Sequence, residues 1–391
     1  MSLAVARAGR TGEWLAEPGF GIYVHIPFCL HRCHYCDFNT YEGQESLYEP
    51  YVDALVHDIE RGPGSVRTAT SVFFGGGTPT LLAPAQLGRV LGAIRARTGI
   101  ESDAEITVEC NPETVDERRF AELVEEGFNR FSIGVQSLAP FVLERLGRRH
   151  SVSAALEAIT AARRAGVEDL NADLIYGSPW ESAEDWLVSL NGIVAAGPDH
   201  VSAYALTVEE GTPLHTLVAT GRVPDVDPDV QAGRHEVAGE VLGAAGFARY
   251  EVSNWARPGR ASRHNVLYWS GGNYLAFGAG AHGHLDGRRW WVTRLPRDFI
   301  VAVACGRGVE AGSETLEDDQ RASEALMLGL RLTHGIDVEA FDARYGPACL
   351  RARAGVLSEL EGAGLIDRAG GRLRVAEGAT LLANDVVSRL L

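Results

Sequence analysis

The chain has 391 residues, of which 46% are hydrophobic and 23% are charged, and its formal net charge is -16 at pH 7. This composition is ordinary for a globular protein of two or three domains. The acidic charge argues against nonspecific binding to nucleic acid or anionic lipid over the whole surface. All 36 basic residues are arginine, so a Schiff base between a lysine and a substrate or pyridoxal phosphate is excluded.

The sequence predicts a cytoplasmic protein. Its apolar stretches are all shorter than the roughly 18 residues that a membrane-spanning helix needs. Residues 1–19 lack the apolar centre of a signal peptide. Six cysteines in a chain of this length do not form a disulfide framework, which favours a reducing compartment.

Short β-rich runs alternate with amphipathic helical patterns through the first half of the chain. We predict strands at residues 21–25, 72–74, 105–109, 130–135, 170–176 and 201–206. We predict helices between them at residues 49–61, 84–97, 116–126, 152–164 and 183–195. Six such units predict an α/β protein with a parallel sheet curved into an incomplete (β/α)6 barrel. A doubly wound sheet is the alternative topology.

Three cysteines follow the first predicted strand. Cys29, Cys33 and Cys36 have the spacing C-x3-C-x2-C, which suits three irons of a [4Fe–4S] cluster. Cluster irons usually have four thiolate ligands, and no fourth cysteine lies nearby. One iron is therefore open to S-adenosylmethionine (SAM), which can supply an amine and a carboxylate. The alternatives are a zinc site, which usually has four protein ligands, or cysteines that are simply buried.

Polar residues and a glycine-rich turn stand near the carboxyl ends of the other predicted strands, where parallel barrels carry their chemistry. Carboxylates can accept hydrogen bonds from ribose hydroxyls or an ammonium, and an arginine can bind a carboxylate. Singly, each residue could be a solvated side chain, but together they suit SAM. The residues are Gly76, Gly77, Thr78, Glu109, Gln136, Arg148 and Asp173. Tyr23 and Tyr35 flank the cysteines and could pack on adenine or in the core.

The second half of the chain has a different pattern. Residues 211–228, punctuated by proline and glycine, predict a crossover out of the barrel. Helices are predicted at residues 230–245, 317–332, 337–345 and 350–362, and short strands at 249–252 and 290–292. Two apolar runs around Gly370 and Gly371 predict a hairpin over residues 365–375. Helices followed by a hairpin and a last helix resemble a winged-helix unit.

We predict three domains from these patterns. They are a partial barrel at residues 1–210, an extension at 211–313 and the winged-helix-like unit at 314–391. The last unit carries more acidic residues than arginines, so it lacks the basic surface of a DNA-binding domain. We expect it to dock onto the barrel or a partner and not to bind nucleic acid.

The chain resembles radical-SAM proteins of the oxygen-independent coproporphyrinogen oxidase-like family and, within it, the HemW-type heme chaperones. The matching segments are residues 23–29, 74–79, 132–137, 173–177, 262–269 and 278–283. The resemblance implies that the three cysteines hold the cluster. It also places nine residues on SAM-contacting positions, namely Tyr23, Tyr35, Gly76, Gly77, Thr78, Glu109, Gln136, Arg148 and Asp173.

The resemblance also implies a heme-binding segment. His264, Asn265, Tyr268 and Trp269 match the H-N-x-x-Y-W signature of the heme chaperones. An imidazole can ligate heme iron, and aromatic side chains can stack on a porphyrin. The alternative is a buried histidine that is hydrogen-bonded in a loop. A second candidate pair of ligands is His282 and His284, near glycines that predict a tight turn.

Two features depart from the decarboxylase for which the family is named. The cysteine pattern of that enzyme resembles C-x3-C-x2-C-x-C, and Phe38 stands here at the position of its last cysteine. It also has a longer segment before the cluster, whereas 28 residues precede Cys29 here. We therefore expect no decarboxylation of coproporphyrinogen.

The leading hypothesis is a heme chaperone that binds the cluster, SAM and heme. We expect it to deliver heme to a respiratory hemoprotein associated with the membrane. The alternative is a radical-SAM enzyme whose 5′-deoxyadenosyl radical abstracts hydrogen from a porphyrin. A regulator that uses the winged-helix-like unit is a third reading, which the acidic charge of that unit disfavours.

Overall fold

The computed structural model describes residues 10–62 and 67–391. Six neighbouring strands pair in parallel at its centre. They are β1 (Phe20–Ile26), β2 (Ala69–Gly76), β3 (Ile100–Cys110), β4 (Arg130–Gln136), β5 (Leu170–Tyr176) and β6 (His200–Ala205). The helices between them are α1 (Tyr48–Arg61), α2 (Pro84–Arg97), α3 (Glu117–Glu126), α4 (Pro140–Arg145), α5 (Val152–Arg164) and α6 (Ala183–Ala196). The six predicted strands and the five predicted helices are confirmed, and the short helix α4 is an addition.

Local sequence explains these elements. Successive side chains of a strand point to opposite faces, so Ile22, Val24 and Ile26 of β1 enter the main hydrophobic core. Tyr23 and His25 alternate with them and touch each other through a hydrogen bond of 2.9 Å. Some of the helices between the strands begin at capping residues and end at residues that favour helix termination. For example, the Asp116 carboxylate caps the first turn of α3, and that helix ends at Gly127, whose φ is 103°.

The sheet continues beyond the six predicted strands to a total of twelve. A seventh parallel strand, β8 (Asn273–Phe277), pairs with the free edge of β1. The antiparallel strands β9 (His282–Leu285), β10 (Arg288–Val292) and β11 (Glu310–Thr315) follow it outward. At the other edge, β7 (Asn254–Ala256) and the short strand Ala248–Arg249 extend the sheet from β6. All six added strands begin within residues 211–313, so this region contributes to the barrel's own sheet.

The helices of the middle region are α7 (Pro213–Ala219), α8 (Pro228–Ala244), α9 (Arg263–Trp269) and α10 (Pro296–Ala304). The structure adds detail to one expectation for this region and changes another. The predicted crossover contains α7, because Thr212 caps a first turn that starts with Pro213. The predicted strand at 249–252 is shorter, because Glu251 instead forms an isolated bridge with Leu332.

The C-terminal unit consists of helices and a small sheet. Its helices are α11 (Asp318–Gly329), α12 (Val338–Tyr345), α13 (Ala348–Ala352), α14 (Ala354–Gly362) and α15 (Ala383–Leu390). The predicted hairpin is present as β12 (Ile366–Ala369) and β13 (Arg372–Val375), and the short strand Ile336–Asp337 completes the sheet. The helix predicted at 350–362 is interrupted at Arg353. There the guanidinium donates to the carbonyl oxygens of Leu390 and Cys349, and the backbone leaves the helical conformation.

The C-terminal unit packs against the barrel. Its hydrophobic core includes Val266 of α9, Trp14 near the start of the described chain, and Tyr250. This contact agrees with the expectation that the unit docks onto the barrel. Among residues 10–62 and 67–391, none of the helices has the length and apolar character needed to cross a membrane.

Candidate functional site

The three cysteines line one cavity at the carboxyl ends of the parallel strands. Cys29, Cys33 and Cys36 are free thiols around a space of about 390 Å³. Burial raises the pKa of Cys29 to about 11 and also raises that of Cys36. In the described part of the chain, no three His, Cys, Asp or Glu side chains are arranged to hold a single metal ion. Three thiols spread around one cavity fit the larger frame of an iron–sulfur cluster.

Two partly buried carboxyl groups face this cavity beside the cysteine loop. Glu109, at the end of β3, accepts a hydrogen bond of 3.0 Å from the Gly76 amide. Asp173 accepts from the Ser132 hydroxyl at 2.8 Å and from the Asn171 amide at 2.7 Å. Burial, followed by the negative charge of Asp173, raises the pKa of Glu109 to about 8. Burial also raises the pKa of Asp173. A cationic ligand would favour the charged form of both groups.

Arg148 supplies a positive charge deep in the cavity, which Arg32 also lines. Its Nη2 donates to the Gly134 carbonyl at 3.0 Å, and its Nη1 lies 3.6 Å from the Cys33 sulfur. Its Nε is buried and has no partner among the described residues. Buried polar groups are normally satisfied, so this donor is available to a ligand carboxylate. Tyr35 lines the same cavity, and burial raises its pKa.

Gln136 occupies a distorted position in β4. Its φ is 67°, one of two positive values among the described non-glycine residues. The register of β4 against β5 also shifts between Gly134 and Gln136. Such backbone conformations are unfavourable and concentrate at functional sites. The bulge brings the Gln136 side chain to the cavity wall.

The glycine-rich turn is shaped by close packing as well as by the cavity. The Gly76 φ is 113°, and a Cβ atom there would lie 2.4 Å from the His25 ring. A Cβ atom at Gly77 would lie 2.4 Å from the Phe28 carbonyl oxygen. The amides of Gly76, Gly77 and Thr78 donate to Glu109, Ile26 and Phe28, respectively. These amide hydrogens are therefore engaged within the protein.

Tyr23 does not line the cavity with the other predicted SAM residues, although burial, followed by the charge of Glu109, raises its pKa. Its hydroxyl is hydrogen-bonded to His25 Nδ1 at 2.9 Å, and its ring stacks on Phe73. It is absent from the described residues that line the cavity of the cysteine loop. The remaining predicted residues line that cavity together, namely Tyr35, Gly76, Gly77, Thr78, Glu109, Gln136, Arg148 and Asp173.

The predicted heme segment forms the buried helix α9. Both ring nitrogens of His264 are hydrogen-bonded, Nδ1 to the Ser71 hydroxyl and Nε2 to the Tyr268 hydroxyl, each at 2.9 Å. Burial lowers the pKa of His264 to about 3. The structure therefore has the satisfied buried histidine that sequence analysis weighed as the alternative, in a helix instead of a loop. Ligation of heme iron by His264 would require one of these hydrogen bonds to break.

The rest of the segment is also built into the fold. The Asn265 amide donates to the Tyr250 hydroxyl at 3.2 Å. The Trp269 ring packs against the C-terminal core, with the Arg331 guanidinium 5.5 Å from its centre. Tyr268 packs on Tyr274, with ring centres 4.6 Å apart, and lines a second cavity.

Sequence reasoning missed the residue that orients this helix. Glu105 of β3 accepts hydrogen bonds from the backbone amides of Arg263 at 2.9 Å and His264 at 3.0 Å. The Ser262 hydroxyl also donates to it at 3.2 Å. The strand period offered a signal, because Glu105 and Glu109 are four residues apart and must share one face of β3.

The chain matches the radical SAM superfamily over residues 23–191 and the HemN C-terminal domain over residues 316–382. The heme chaperone HemW of Mycobacterium tuberculosis is 42% identical over 377 residues, which is 95% of both chains. HemW of Bacillus subtilis is 32% identical over 94% of this chain and 98% of its own length. The chain belongs to the HemW family of radical-SAM proteins.

A solved structure shares the fold over the whole chain. Coproporphyrinogen III oxidase (HemN) of Escherichia coli matches with a TM-score of 0.83 and 22% identity, covering all of this chain and 93% of its own. The incomplete barrel followed by an α+β C-terminal region is therefore confirmed as the architecture of this HemW-family chain.

Proposed function

We propose that this HemW-family protein binds a [4Fe–4S] cluster, SAM and heme and delivers heme to respiratory hemoproteins. The central observation is the shared cavity, in which three free thiols meet Arg148 and the two carboxyl groups Glu109 and Asp173. The cysteines would hold three irons of the cluster. When bound, the cluster would supply an iron to which SAM can coordinate and the capacity for electron transfer.

The protein's own groups would position SAM. Arg148, with its unpaired Nε, would bind the carboxylate, and Glu109 and Asp173 would accept hydrogen bonds from the ribose hydroxyls or the ammonium. Gln136 and the turn at Gly76 would close the wall around them. We propose that this occurs in the cytoplasm and that the acceptor of heme is associated with the membrane.

The competing proposal is decarboxylation of a porphyrin. Phe38 argues against this proposal. It lines the cavity and is 64% exposed. An apolar ring therefore stands where the decarboxylase pattern has a cysteine. That ring cannot ligate metal or donate a hydrogen bond. The cavity supports cluster and SAM binding without this further group, which favours the chaperone.

Cysteine variants test the cluster. We expect Cys29→Ser, Cys33→Ser and Cys36→Ser to lose the cluster after anaerobic reconstitution, because each removes a ligand at the shared cavity. Cys305→Ser is the control, since Cys305 is an exposed free cysteine outside the cavity. Iron and sulfide analysis measures the outcome. Four irons retained by Cys33→Ser would contradict the assignment.

SAM binding is measured with the same anaerobic reconstitution of the cluster. Addition of SAM to the reduced wild-type protein should change the electron paramagnetic resonance signal of the cluster. In Arg148→Ala this effect should need roughly ten- to a hundredfold more SAM, because a charge-assisted hydrogen bond is lost. An unchanged SAM dependence in Arg148→Ala would remove the proposed carboxylate site.

A further inference from the structure

A second large cavity lies at the opposite end of β1 from the cysteine loop. Its volume is about 660 Å³, within the usual range for sites of cofactor-sized ligands. Asn273 and Tyr274, which line it, pair with Phe20 and Gly21 at the start of β1. Cys29 instead follows the end of that strand. Seven residues of strand separate the two ends by roughly 20 Å, so we name this space the distal cavity.

The distal cavity collects arginines in a chain whose net charge is -16. The four that line it are Arg67, Arg289, Arg321 and Arg344, and three carboxylates, Glu17, Asp286 and Glu324, line it as well. Arg289 is already paired with Glu314 and Glu324, each at 2.9 Å. Arg321 has only Asp318, at 3.5 Å, and that carboxylate is 99% exposed. An exposed ion pair of this kind contributes little, so Arg321 can turn to a ligand carboxylate.

Arg67 is similarly available. Its nearest acidic partner is Asp286 at 3.9 Å, and both side chains are more than half exposed. Arg344, by contrast, donates to the carbonyl oxygens of Ser270 and Gly271 and supports the wall. The cavity thus offers two weakly paired guanidinium groups, which suits a ligand with more than one carboxylate.

Aromatic rings form another part of the wall. Tyr268, Tyr274 and Tyr345 line the distal cavity. Tyr268 belongs to the H-N-x-x-Y-W segment, so α9 contributes to this cavity through that side chain. Aromatic faces favour stacking with other flat conjugated systems. Together with the arginines they fit a planar ligand whose edge carries carboxylates.

His284 adds a potential metal ligand to the same cavity. Its Nδ1 is hydrogen-bonded to the Gly272 carbonyl at 3.0 Å, which fixes the proton on that nitrogen. No described residue is hydrogen-bonded to Nε2, so its lone pair is available. A histidine held by a backbone carbonyl through one nitrogen is the usual arrangement of a metal-binding imidazole. Burial lowers the pKa of His284, which keeps the ring neutral.

We propose that the distal cavity is the heme cargo site, with His284 as an axial ligand through Nε2 and Arg67 and Arg321 bound to the propionates. This inference rests on the proposed function, since it locates the cargo of a heme carrier. It differs from ligation by His264, whose two ring nitrogens are both occupied. Because the two cavities lie at opposite ends of β1, heme and SAM would bind at the same time.

Heme titration of the reconstituted full-length chain tests the site. We expect His284→Ala to shift the Soret band and to weaken heme binding at least about tenfold, because the axial ligand is lost. Cluster content and the SAM effect on the cluster signal should stay as in wild type. His334→Ala is the matched control, since His334 is exposed and lies outside both cavities. A Soret shift in His264→Ala or His282→Ala, with none in His284→Ala, would overturn the assignment.

A second variant tests the propionate contact. Arg321→Ala should bind heme about ten- to a hundredfold more weakly but should bind heme dimethyl ester like wild type, because the ester lacks the carboxylate charge. Equal loss for both ligands, or no loss for either, would contradict the contact. If wild type binds no heme, the proposed function fails as well. If wild type binds heme while the His284 and Arg321 variants match it, only the distal site fails.

Discussion

At the scale of single residues, the raised pKa of Glu109 links the stability of the fold to pH. Its pKa is raised to about 8, first by burial and then by Asp173. In the unfolded chain the same group would titrate near the ordinary value of about 4.3. Between these values the folded protein holds a proton that the unfolded chain has lost, so stability falls as pH rises. Above about pH 8 this decline should end.

The variant Glu109→Gln removes this titration while keeping the shape of the side chain. Without SAM, we expect its stability to match wild type near pH 4 and to exceed it by a few kcal/mol at pH 9, on the order set by the pKa shift. Denaturant unfolding across this pH range measures the difference. Glu113→Gln is the control, because Glu113 is exposed and follows the same strand. A constant difference between Glu109→Gln and wild type at every pH would contradict the argument.

At the scale of elements, a chain of hydrogen bonds joins the SAM cavity to α9. Asn171 of β5 donates to Asp173 and accepts from His200 Nδ1 at 2.6 Å. The other nitrogen of His200 is 2.9 Å from the Tyr250 hydroxyl, to which Asn265 of α9 donates. All the groups between the two ends are buried and mutually satisfied. The position of α9 therefore depends on groups that also hold Asp173.

Tyr250→Phe removes the central hydroxyl of this chain. We expect it to destabilise the protein by about 1–3 kcal/mol, because His200 and Asn265 are left without a buried partner. Tyr48→Phe should change stability far less, since its hydroxyl makes no hydrogen bond to any described residue. Chemical denaturation compares the two variants. Equal effects would show that the hydrogen-bond chain adds no stability.

The sequence predicted the barrel elements well because their signals are local. The fifth strand was predicted at residues 170–176 and is observed as Leu170–Tyr176. In contrast, β8 was missed, because five residues after a glycine pair carry little strand signal and its partner β1 is distant in sequence. Helix α9 was missed for the same reason, since its first turn is held by Glu105 from β3. Long-range contacts of this kind leave no periodic pattern.

The residues of the candidate site also divide into those that the sequence could predict and those that required the fold. Residues at strand ends, such as Glu109 and Asp173, could be assigned from topology because the carboxyl ends of parallel strands meet at one edge. Whether Tyr23 lines the cavity depends on side-chain packing inside the barrel, where its ring stacks on Phe73, and the sequence does not show that packing. The distal cavity lies between β8, β9 and the C-terminal unit, so it required the full fold.

At the scale of the whole molecule, the two cavities divide the protein by chemistry. One holds three thiols beside Arg148 and two carboxyl groups, and the other holds His284 beside arginines, tyrosines and three carboxylates. The C-terminal unit forms one wall of the distal cavity through residues such as Arg321 and Tyr345. That unit would thus serve cargo binding, and it carries more acidic residues than arginines.

An anaerobic assay tests the central claim, that this protein carries heme and does not convert a porphyrin. Reconstituted protein receives SAM, reductant, heme and coproporphyrinogen, and then an apo-cytochrome. Absorbance follows heme, and chromatography follows porphyrins and 5′-deoxyadenosine. We predict that heme binds and passes to the apo-cytochrome while coproporphyrinogen stays unchanged. Sustained conversion of coproporphyrinogen to protoporphyrinogen, with release of 5′-deoxyadenosine and no transfer of heme, would contradict the account.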